Sequence, residues 1–131
     1  MTSTATNGMA TATPRAVLAA IVDGINSGDI DSLMSLYESD AAFATEPGTL
    51  AAGADGIRGA LNGFIGMNGT LDLEVTRVLE SGDLALVVGV WSFTGTREGA
   101  PVELSARNAD VLRRQADGTW RLVIDNPWGV D

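Results

Sequence analysis

From Thr70 onward, apolar and polar residues alternate with a period of two, which is the pattern of β-strands. Turn-forming pairs interrupt this alternation at Ser81-Gly82, Gly99-Ala100 and Asp117-Gly118. Asp-Gly between two alternating runs is a strong signal for a hairpin. Because short turns join antiparallel neighbours, the pattern predicts an antiparallel meander. Its strands comprise residues 71–80, 83–98, 101–115 and 119–128.

The residues before this run follow a helical period instead. Thr13 and Pro14 form a favourable helix start, since Thr caps the first turn and Pro fits inside it. Gly28 ends this helix, because glycine readily adopts the left-handed conformation that follows a helix C-terminus. Asp29 can cap a second helix at once, and that helix is expected to end near Ser39-Asp40. Its apolar stripe consists of Ile30, Leu33, Met34 and Tyr37.

A short strand over residues 41–45 is expected after the second helix, and a third helix is predicted from Asp55 to about Met67. Three N-terminal helices followed by an antiparallel meander predict the α+β class. The start of the chain lacks the basic residues and the apolar stretch of a signal peptide. We therefore expect residues 1–13 to form a loose, disordered tail and residues 14–131 to form one domain.

The composition excludes several classes of function. The 131 residues carry a net charge of −9, which argues against nucleic acid and anionic membrane surfaces as partners. No apolar run reaches the length of a membrane span, so we expect a cytoplasmic protein. The sequence has no Cys, His or Lys, which removes thiolate nucleophiles, imidazole bases, Schiff bases and nearly all zinc chemistry. Acid–base chemistry must then fall to carboxylates, and neither a metal nor a cofactor is expected.

Pairing across the predicted hairpins indicates which side chains share a face, because directly opposed residues lie on the same side of a sheet. A loop of even length centred on Asp117-Gly118 places Asp110 opposite Asp125. A two-residue loop at Gly99-Ala100 places Gly89 opposite Asp110, and the same register places Trp91 opposite Asn108. One face then holds Gly89, Trp91, Phe93, Asn108, Asp110, Leu112, Val123 and Asp125.

The opposite face of the predicted sheet is also substantially apolar. It holds Leu84, Leu86, Val88, Val90, Val111, Trp120, Leu122 and Ile124. Three helices can cover only one face, so the other is expected to meet a second copy of the chain in a homodimer. The alternative is that this face packs against the tail of its own chain.

The two opposed carboxylates are the most informative feature of the predicted sheet. Like charges directly opposite each other are destabilising, so on a covered face one of Asp110 and Asp125 should keep its proton to higher pH. Groups perturbed in this way cluster at functional sites. Gly89 would leave room for a ligand beside them. The alternative is that a bulge breaks the register, or that Arg114 or Arg121 neutralises the pair.

Four segments, in this order and spacing, carry a resemblance to a known fold family: "NSGDIDSLMSLYESDAAF", "GADGIRGAL", "SGDLALVVGVWSFTG" and "DVLRRQADGTWRLVIDNPW". Across residues 14–128 the chain resembles the nuclear transport factor 2-like superfamily, the cystatin-like α+β roll. Within it, the chain looks most like the SnoaL-like polyketide cyclases and the ketosteroid isomerases. The resemblance implies a strongly curved antiparallel sheet with helices on its concave face, a cone-shaped pocket between them, and dimers through the outer face.

The resemblance also assigns roles to individual positions. The oxyanion-hole aspartate of ketosteroid isomerase matches Asp110, and Asp125 resembles the acidic residue that many relatives carry near the end of the last strand. The general-base aspartate of the isomerase falls at Thr45, and a shift of one residue brings Glu46 to that place. The oxyanion tyrosine of the isomerase falls on Ile21.

We therefore expect a small dimeric protein that binds a hydrophobic small molecule, such as a ketone or a polyketide-like compound. Asp110, Asp125 and Glu46 are the candidate catalytic residues, for acid–base chemistry of the isomerase, cyclase or dehydratase type. The alternative is a non-catalytic binding or accessory dimer with the same pocket. The candidate pocket residues are Tyr37, Phe43, Phe64, Trp91, Phe93, Asn108, Leu112, Val123 and Trp128.

Overall fold

A computed structural model describes residues 11–129, in which helices precede and interrupt a six-stranded sheet. The helices are α1 (Pro14–Ser27), α2 (Ile30–Met34) and α3 (Gly53–Ile65). The strands are β1 (Tyr37–Glu46), β2 (Thr49–Ala52), β3 (Thr70–Ser81), β4 (Leu84–Arg97), β5 (Ala100–Arg114) and β6 (Trp120–Asp125).

The first two helices are separated because the sequence caps both sides of the break. Gly28 adopts a left-handed conformation with φ 72°, and its N–H donates to carbonyls of the last turn of α1. Asp29 then caps α2 by accepting a hydrogen bond from the backbone N–H of Ser32 at 3.2 Å. The break lets α2 fold back onto α1. A Cβ at Gly24 would lie 2.6 Å from the side chain of Leu33, so this close packing requires glycine.

The sheet has the order β2-β1-β6-β5-β4-β3, and it is curved and unclosed. Its neighbouring strands are antiparallel except for β1 and β6, which are parallel. The helices pack on one face, with α1 against β3 and α3 against β1. The buried apolar side chains lie between the helices and this face, which we call the inner face. The predicted α+β roll is therefore confirmed.

Strand β1 begins earlier than the sequence pattern predicted. Tyr37 was expected on the apolar stripe of the second helix, but α2 ends at Met34 and Tyr37 is the first residue of β1. The reason is long-range pairing, since Tyr37 lies beside Leu122 of β6 in the parallel part of the sheet. Strand β2 was not predicted, and it pairs with β1 at the edge.

The turn of the β4–β5 hairpin is one residue earlier than predicted. Arg97 pairs with Ala100, so the two-residue loop is Glu98-Gly99, with φ values of 52° and 80°. Gly89 therefore lies opposite Asn108 rather than Asp110. The predicted pairing of Trp91 with Asn108 is wrong for the same reason, because Trp91 pairs with Ala106. The error is two residues in register, so each side chain still lies on the predicted face.

The β5–β6 hairpin departs from the prediction in two ways that cancel. Its loop, residues 115–119, has an odd length, and near it Leu112 pairs with Leu122. A bulge follows, beyond which Val111 pairs with Ile124. Trp120 and Leu122, which precede the bulge, are therefore buried on the inner face, with exposures of 4% and 0%. Their predicted place on the outer face is wrong, whereas the predicted register holds beyond the bulge.

Most of the predicted tail, residues 1–10, lies outside the described part of the chain. Thr11 and Thr13 each accept a hydrogen bond from the backbone. The carbonyl of Thr11 accepts a hydrogen bond from the backbone N–H of Trp120 at 2.8 Å. Thr13 caps α1 by accepting from the N–H of Ala16 at 3.1 Å. Between residues 11 and 129, none of the helices is long and apolar enough to cross a membrane.

Candidate functional site

A cavity lies between α1, α3 and the inner face of the sheet. Its free volume is about 60 Å³. This is room for a few waters and is less than the roughly 150 Å³ of an engineered apolar cavity that binds benzene, so a ring would have to widen it. Most of the wall is apolar, and it consists of Leu18, Ile21, Ile25, Phe43, Leu61, Phe64, Leu71, Leu73, Trp91 and Pro127. The polar wall residues are Asn108, Asp110 and Asp125.

The three polar residues stand together on β5 and β6. Asp110 is only 1% exposed. Its Oδ1 accepts a hydrogen bond from the backbone N–H of Asn126 at 2.7 Å, and its Oδ2 accepts one from Nδ2 of Asn108 at 2.7 Å. The carboxyl group of Asp125 lies close enough to raise the pKa of Asp110, and both groups line the cavity. The polar end of the cavity is therefore a connected network around a carboxyl pair.

A fourth side chain of this network comes from β1. The hydroxyl of Tyr37 donates to Oδ2 of Asp125 at 2.5 Å, and the tyrosine is almost completely buried. A short hydrogen bond from a neutral donor stabilises a carboxylate. Tyr37 therefore favours the charged form of Asp125, and it lies behind the carboxyl group instead of lining the cavity.

Burial dominates the protonation of the pair. It raises the pKa of Asp110 well above the ordinary value, and the negative charge of Asp125 raises it further. Burial also raises the pKa of Asp125, against the opposing effect of the hydrogen bonds from Tyr37 and Asp110. The pKa of Tyr37 is raised by burial and by the charge of Asp125. The pair therefore holds a proton to higher pH than an isolated aspartate does.

The arginines considered as neutralising partners lie elsewhere. Arg114 forms an ion pair with Asp83 at 3.1 Å, and its guanidinium lies over the ring of Trp120. Arg121 is exposed, and it precedes the bulge of β6. Because neither arginine lines the cavity, burial acts on the carboxyl pair without compensation from these two cations.

The structure brings some of the candidate pocket residues to the cavity and places others behind it. Phe43, Phe64, Trp91 and Asn108 line it. Others support that wall. The ring of Phe93 packs edge-on against Phe64, and the ring of Trp128 packs edge-on against Trp91, each at 5.4 Å between centroids.

Three further candidates do not line the cavity. Leu112 is completely buried in the core beneath it. Val123 lies at the bulge of β6 and is half-buried. Glu46 is exposed where β1 meets β2, and it accepts a hydrogen bond from the hydroxyl of Thr49 at 3.4 Å. The expectation that Glu46 reaches the pocket is therefore wrong, because the β1–β2 hairpin carries it away from the carboxyl pair.

Sequence reasoning missed two groups of wall residues. The first comprises apolar side chains of α1, α3 and β3, of which Ile21 and Leu61 are examples. The helical periodicity did mark Ile21 as part of a buried face, but periodicity alone does not separate a cavity wall from a core. The second is the segment after β6, where Pro127 lines the cavity and its carbonyl accepts from Nε1 of Trp91 at 2.5 Å.

With this geometry in view, the domain model of the SnoaL-like family matches residues 18–123. The chain belongs to the SnoaL-like domain family. No curated protein sequence matches this SnoaL-like chain.

Solved structures agree with the SnoaL-like fold. A ketosteroid isomerase-like protein from Erwinia carotovora atroseptica is similar with a TM-score of 0.75 and 21% identity, over 88% of this chain and 92% of that one. A nuclear transport factor 2-like protein with a cystatin-like fold from Novosphingobium aromaticivorans has a TM-score of 0.72 and 20% identity, over 88% and 78%. A conserved protein from Planctomyces limnophilus has a TM-score of 0.76 and 23% identity, over 85% and 88%. At these identities the likeness establishes the fold.

Proposed function

We propose that this protein transfers protons on a small hydrophobic ligand that carries a carbonyl group, with Asp110 and Asp125 as the acid–base pair. One observation carries the proposal: two carboxyl groups, close enough for one to raise the pKa of the other, form the polar end of an otherwise apolar cavity. Keeping two carboxyls together away from water costs stability, and perturbed groups of this kind cluster at functional sites. The apolar wall favours a hydrophobic ligand, and the small volume limits that ligand to about one ring.

The two carboxyls suit different roles. Asp125 is the less buried of the two, and Tyr37 favours its charged form, so Asp125 would accept a proton from the carbon next to the ligand carbonyl. Asp110 is more deeply buried and holds a proton more readily, so it would donate a hydrogen bond to the carbonyl oxygen as negative charge develops there. Returning the proton from Asp125 to a different carbon completes an isomerisation without another reactant. Cyclisation and dehydration can begin with the same proton removal.

The arrangement differs from that of ketosteroid isomerase at two positions. Ile21, which matches the oxyanion tyrosine of the isomerase, is an apolar part of the cavity wall. Glu46, the candidate for its general base, is exposed away from the cavity. The proposal therefore rests on proton transfer by the β5–β6 pair, and it does not include a steroid as substrate.

A single-ring β,γ-unsaturated ketone, 3-cyclohexen-1-one, is a suitable probe. In D₂O, NMR follows both its isomerisation to the conjugated ketone and the exchange of its α-protons. We expect the unmutated protein to accelerate both, and Asp125→Asn to lower the rate by about 100-fold or more, the range of a lost general base. Asp110→Asn should lower it less, because the amide still donates a hydrogen bond.

Glu46→Gln is the matched control for this experiment, since it neutralises an exposed carboxylate away from the cavity. Its rates should equal those of the unmutated protein. Rates no higher than those of buffer would contradict the proposal. An equal loss in Glu46→Gln and Asp125→Asn would contradict the assignment of the base.

The narrowness of the cavity favours a second candidate function, a binding protein without catalysis. Native mass spectrometry of gently purified protein separates the two. A retained hydrophobic compound that is recovered unchanged after long incubation, together with the absence of ketone exchange, would favour the binding function. A compound that is recovered as a different isomer would favour catalysis.

We also propose that the protein acts as a homodimer through the outer face of the sheet. Directly paired residues form an apolar row across β3 to β6 on this face, and it consists of Leu79, Leu86, Val111 and Ile124. Leu79, Leu86 and Ile124 are among the exposed large apolar residues, which is costly in water and typical of an interface. Sedimentation should give the mass of a dimer at micromolar concentration, and a monomer there would refute this proposal.

A further inference from the structure

Asn108 has an unusual position in the carboxyl network. It is 2% exposed and donates through Nδ2 to Asp110. Within residues 11–129, however, its Oδ1 has no hydrogen-bond partner, and solvent does not reach that atom. A buried acceptor without a donor costs free energy, and water cannot supply the donor here. The amide is therefore satisfied on one side only.

The protonation of the carboxyl pair is set by two effects. Burial is greater at Asp110, which favours the proton there and the charge on Asp125. The hydrogen bonds act on both carboxyls, since Asp110 accepts from the N–H groups of Asn108 and Asn126 and Asp125 accepts from the hydroxyl of Tyr37. Asn126 donates through its backbone, which has one orientation. Asn108 donates through a side chain that can present either a donor or an acceptor.

We propose that Asn108 is a positioning residue whose amide turns to follow the proton shared by Asp110 and Asp125. The two ends of an amide group have nearly the same shape, so a half-turn about the Cβ–Cγ bond exchanges Oδ1 and Nδ2. When Asp110 is charged, Nδ2 faces it and donates, as observed. When Asp110 carries the proton, the turned amide presents Oδ1, which accepts from the carboxyl O–H.

Gly89 provides the space that the turned amide requires. A Cβ at Gly89 would lie 2.8 Å from Oδ1 of Asn108 and 2.5 Å from the carbonyl oxygen of Glu74. The amide end and this carbonyl thus border the same point above the glycine. After the half-turn, Nδ2 would face the carbonyl oxygen of Glu74, which can accept a hydrogen bond. In the observed orientation Oδ1 lies on that side instead, and two acceptors cannot bond to each other. Glycine at position 89 therefore makes room for the amide of Asn108 and not, as expected from the sequence, for a ligand.

The titratable groups that face Asp110 are Asp125 from β6 and Tyr37 from β1. The cavity wall contributed by α1 and β3 is apolar, as Leu18 and Leu73 illustrate. The orientation of the amide therefore depends on the protonation of the carboxyl pair and of Tyr37.

NMR of the side-chain amide tests the inference directly in the unmutated protein. At the acidic end of the pair's titration, nuclear Overhauser contacts should join the Nδ2 protons of Asn108 to the α-protons of Gly89. These contacts should disappear, and the amide proton signals should move downfield, as Asp110 loses its proton. Asn26 is an internal control, because its amide both donates to and accepts from the backbone of Leu71, at 3.0 and 2.7 Å. Contacts of Asn108 that stay constant while both carboxyls titrate would overturn the inference.

Asn108→Leu gives an independent readout by carboxyl-carbon NMR. In the unmutated protein, each of the two titration steps should appear at both carboxyl carbons, because the proton is shared. In the variant, the charged form of Asp110 loses the donor of Asn108, so the pKa of Asp110 should rise and one step should appear at Asp125 only. Unchanged shared steps in a folded variant would mean that Asn108 is merely structural and would overturn the inference. If the variant does not fold, the amide contacts in the unmutated protein decide.

These results are separable from the proposed function. An amide that follows the proton in a protein without ketone exchange would refute the catalytic proposal and support the role of Asn108. Ketone exchange in a protein whose Asn108 amide never turns would support the catalytic proposal and refute the role of Asn108.

Discussion

The β4–β5 and β5–β6 hairpins share a strand but differ in regularity. In the first, every residue from Leu84 to Arg97 is paired in one register down to a tight two-residue turn. In the second, a loop with an odd number of residues shifts the register by one residue from the predicted pairing, and the bulge at Val123 restores the predicted register. The regular hairpin supplies Trp91 to the cavity wall, and Leu86 and Val111 to the apolar row of the outer face. The irregular one brings Asp125 to the inner face, in contact with Asp110.

This difference shows what a bulge accomplishes in a sheet with two distinct faces. Without it, the register that buries Trp120 and Leu122 would turn Asp125 toward the outer face, because side chains alternate along a strand. With it, one strand buries apolar residues at its start and a carboxyl group at its end. A bulge next to a functional site re-aims a side chain in this way.

The largest effect should come from deleting one residue from each hairpin. Deleting Val88 from regular β4 reverses the faces of all residues on one side of it, so we expect no folded protein. Deleting Val123 removes the extra residue and leaves Asp125 opposite Asp110. That variant should fold and keep the coupled pair, as measured by circular dichroism and carboxyl-carbon NMR. Equal behaviour of the two deletions would show that the hairpins do not differ as described.

The next largest effect should be a difference in stability between a substitution before the bulge of β6 and a substitution in the apolar row of the outer face. Leu122→Asp buries a charge in the core, where the leucine is 0% exposed, and should cost about 3–5 kcal/mol or prevent folding. Leu86→Asp changes a residue that is 38% exposed on the outer face. It should stay folded and become monomeric. Urea unfolding and sedimentation measure the two outcomes, and a normally stable Leu122→Asp protein would contradict the position of Leu122.

Asp110→Asn should change how stability depends on pH. The folded pair has raised pKa values, so above the ordinary aspartate value of 3.8 the folded protein holds a proton that the unfolded chain has lost. The free energy of unfolding therefore falls, by about 1.4 kcal/mol per pH unit for one proton, as pH rises toward the folded pKa. The asparagine variant lacks the proton of Asp110 and keeps only Asp125, whose pKa is also raised by burial. Its stability should therefore fall less steeply with pH, and should increase relative to that of the unmutated protein. Parallel stability curves for the two proteins would contradict the buried pair.

Asp29 and Asp117 provide the opposite dependence within the same molecule. Hydrogen bonds from Ser32 and Thr119, respectively, lower their pKa values. Their contribution is present above the ordinary pKa and is lost as pH falls through the lowered one. Asp110→Asn should leave this loss of stability at acidic pH unchanged. The stabilities of the two proteins should therefore differ in their pH dependence only at pH values above that loss.

The smallest effects should come from the two turns. Glu98 has φ 52°, a left-handed conformation that asparagine tolerates better than glutamate. Glu98→Asn should therefore stabilise the protein by up to about 1 kcal/mol, since Asn-Gly is favoured in such a turn. Gly118, in the irregular hairpin, has φ 86°, and Gly118→Ala should destabilise by a similar amount. Thermal unfolding measures both, and shifts of the same sign would contradict these turn conformations.

Local signals in the sequence were sufficient for much of the fold. The α+β class, the caps of α1 at Thr13 and Gly28, and the meander from β3 to β6 follow from periodicity and turn chemistry, which act over a few residues. Tyr37 shows where these signals end. Its spacing from Ile30 and Leu33 suits a helix, but pairing with distant β6 places it in a strand. Strand β2 was missed because a four-residue edge strand carries almost no periodicity.

The candidate site was predictable only in part, for two physical reasons. The face of each residue on β4 and β5 follows from alternation, which survives an even error in register. The length of the 115–119 loop and the bulge each shift alternation by one residue, and neither has a distinctive sequence. The contact of Asp110 with Asp125 thus depended on two unpredicted features that compensate. The backbone donor at Asn126 is invisible to sequence reasoning, because every residue except proline supplies one.

The position of β6 between β1 and β5 has a consequence for biosynthesis. Until β6 is made, the strands form two separate pieces, β2 with β1 and β3 with β4 and β5, whose open edges can pair with other chains. The bond between Tyr37 and Asp125 joins residues 88 positions apart, so it forms only after most of the described chain has left the ribosome. A nascent chain stalled before Trp120 therefore exposes the unpaired edges of β1 and β5, and it has no carboxyl pair. These edges are protected only once β6 has been made and has paired with both pieces.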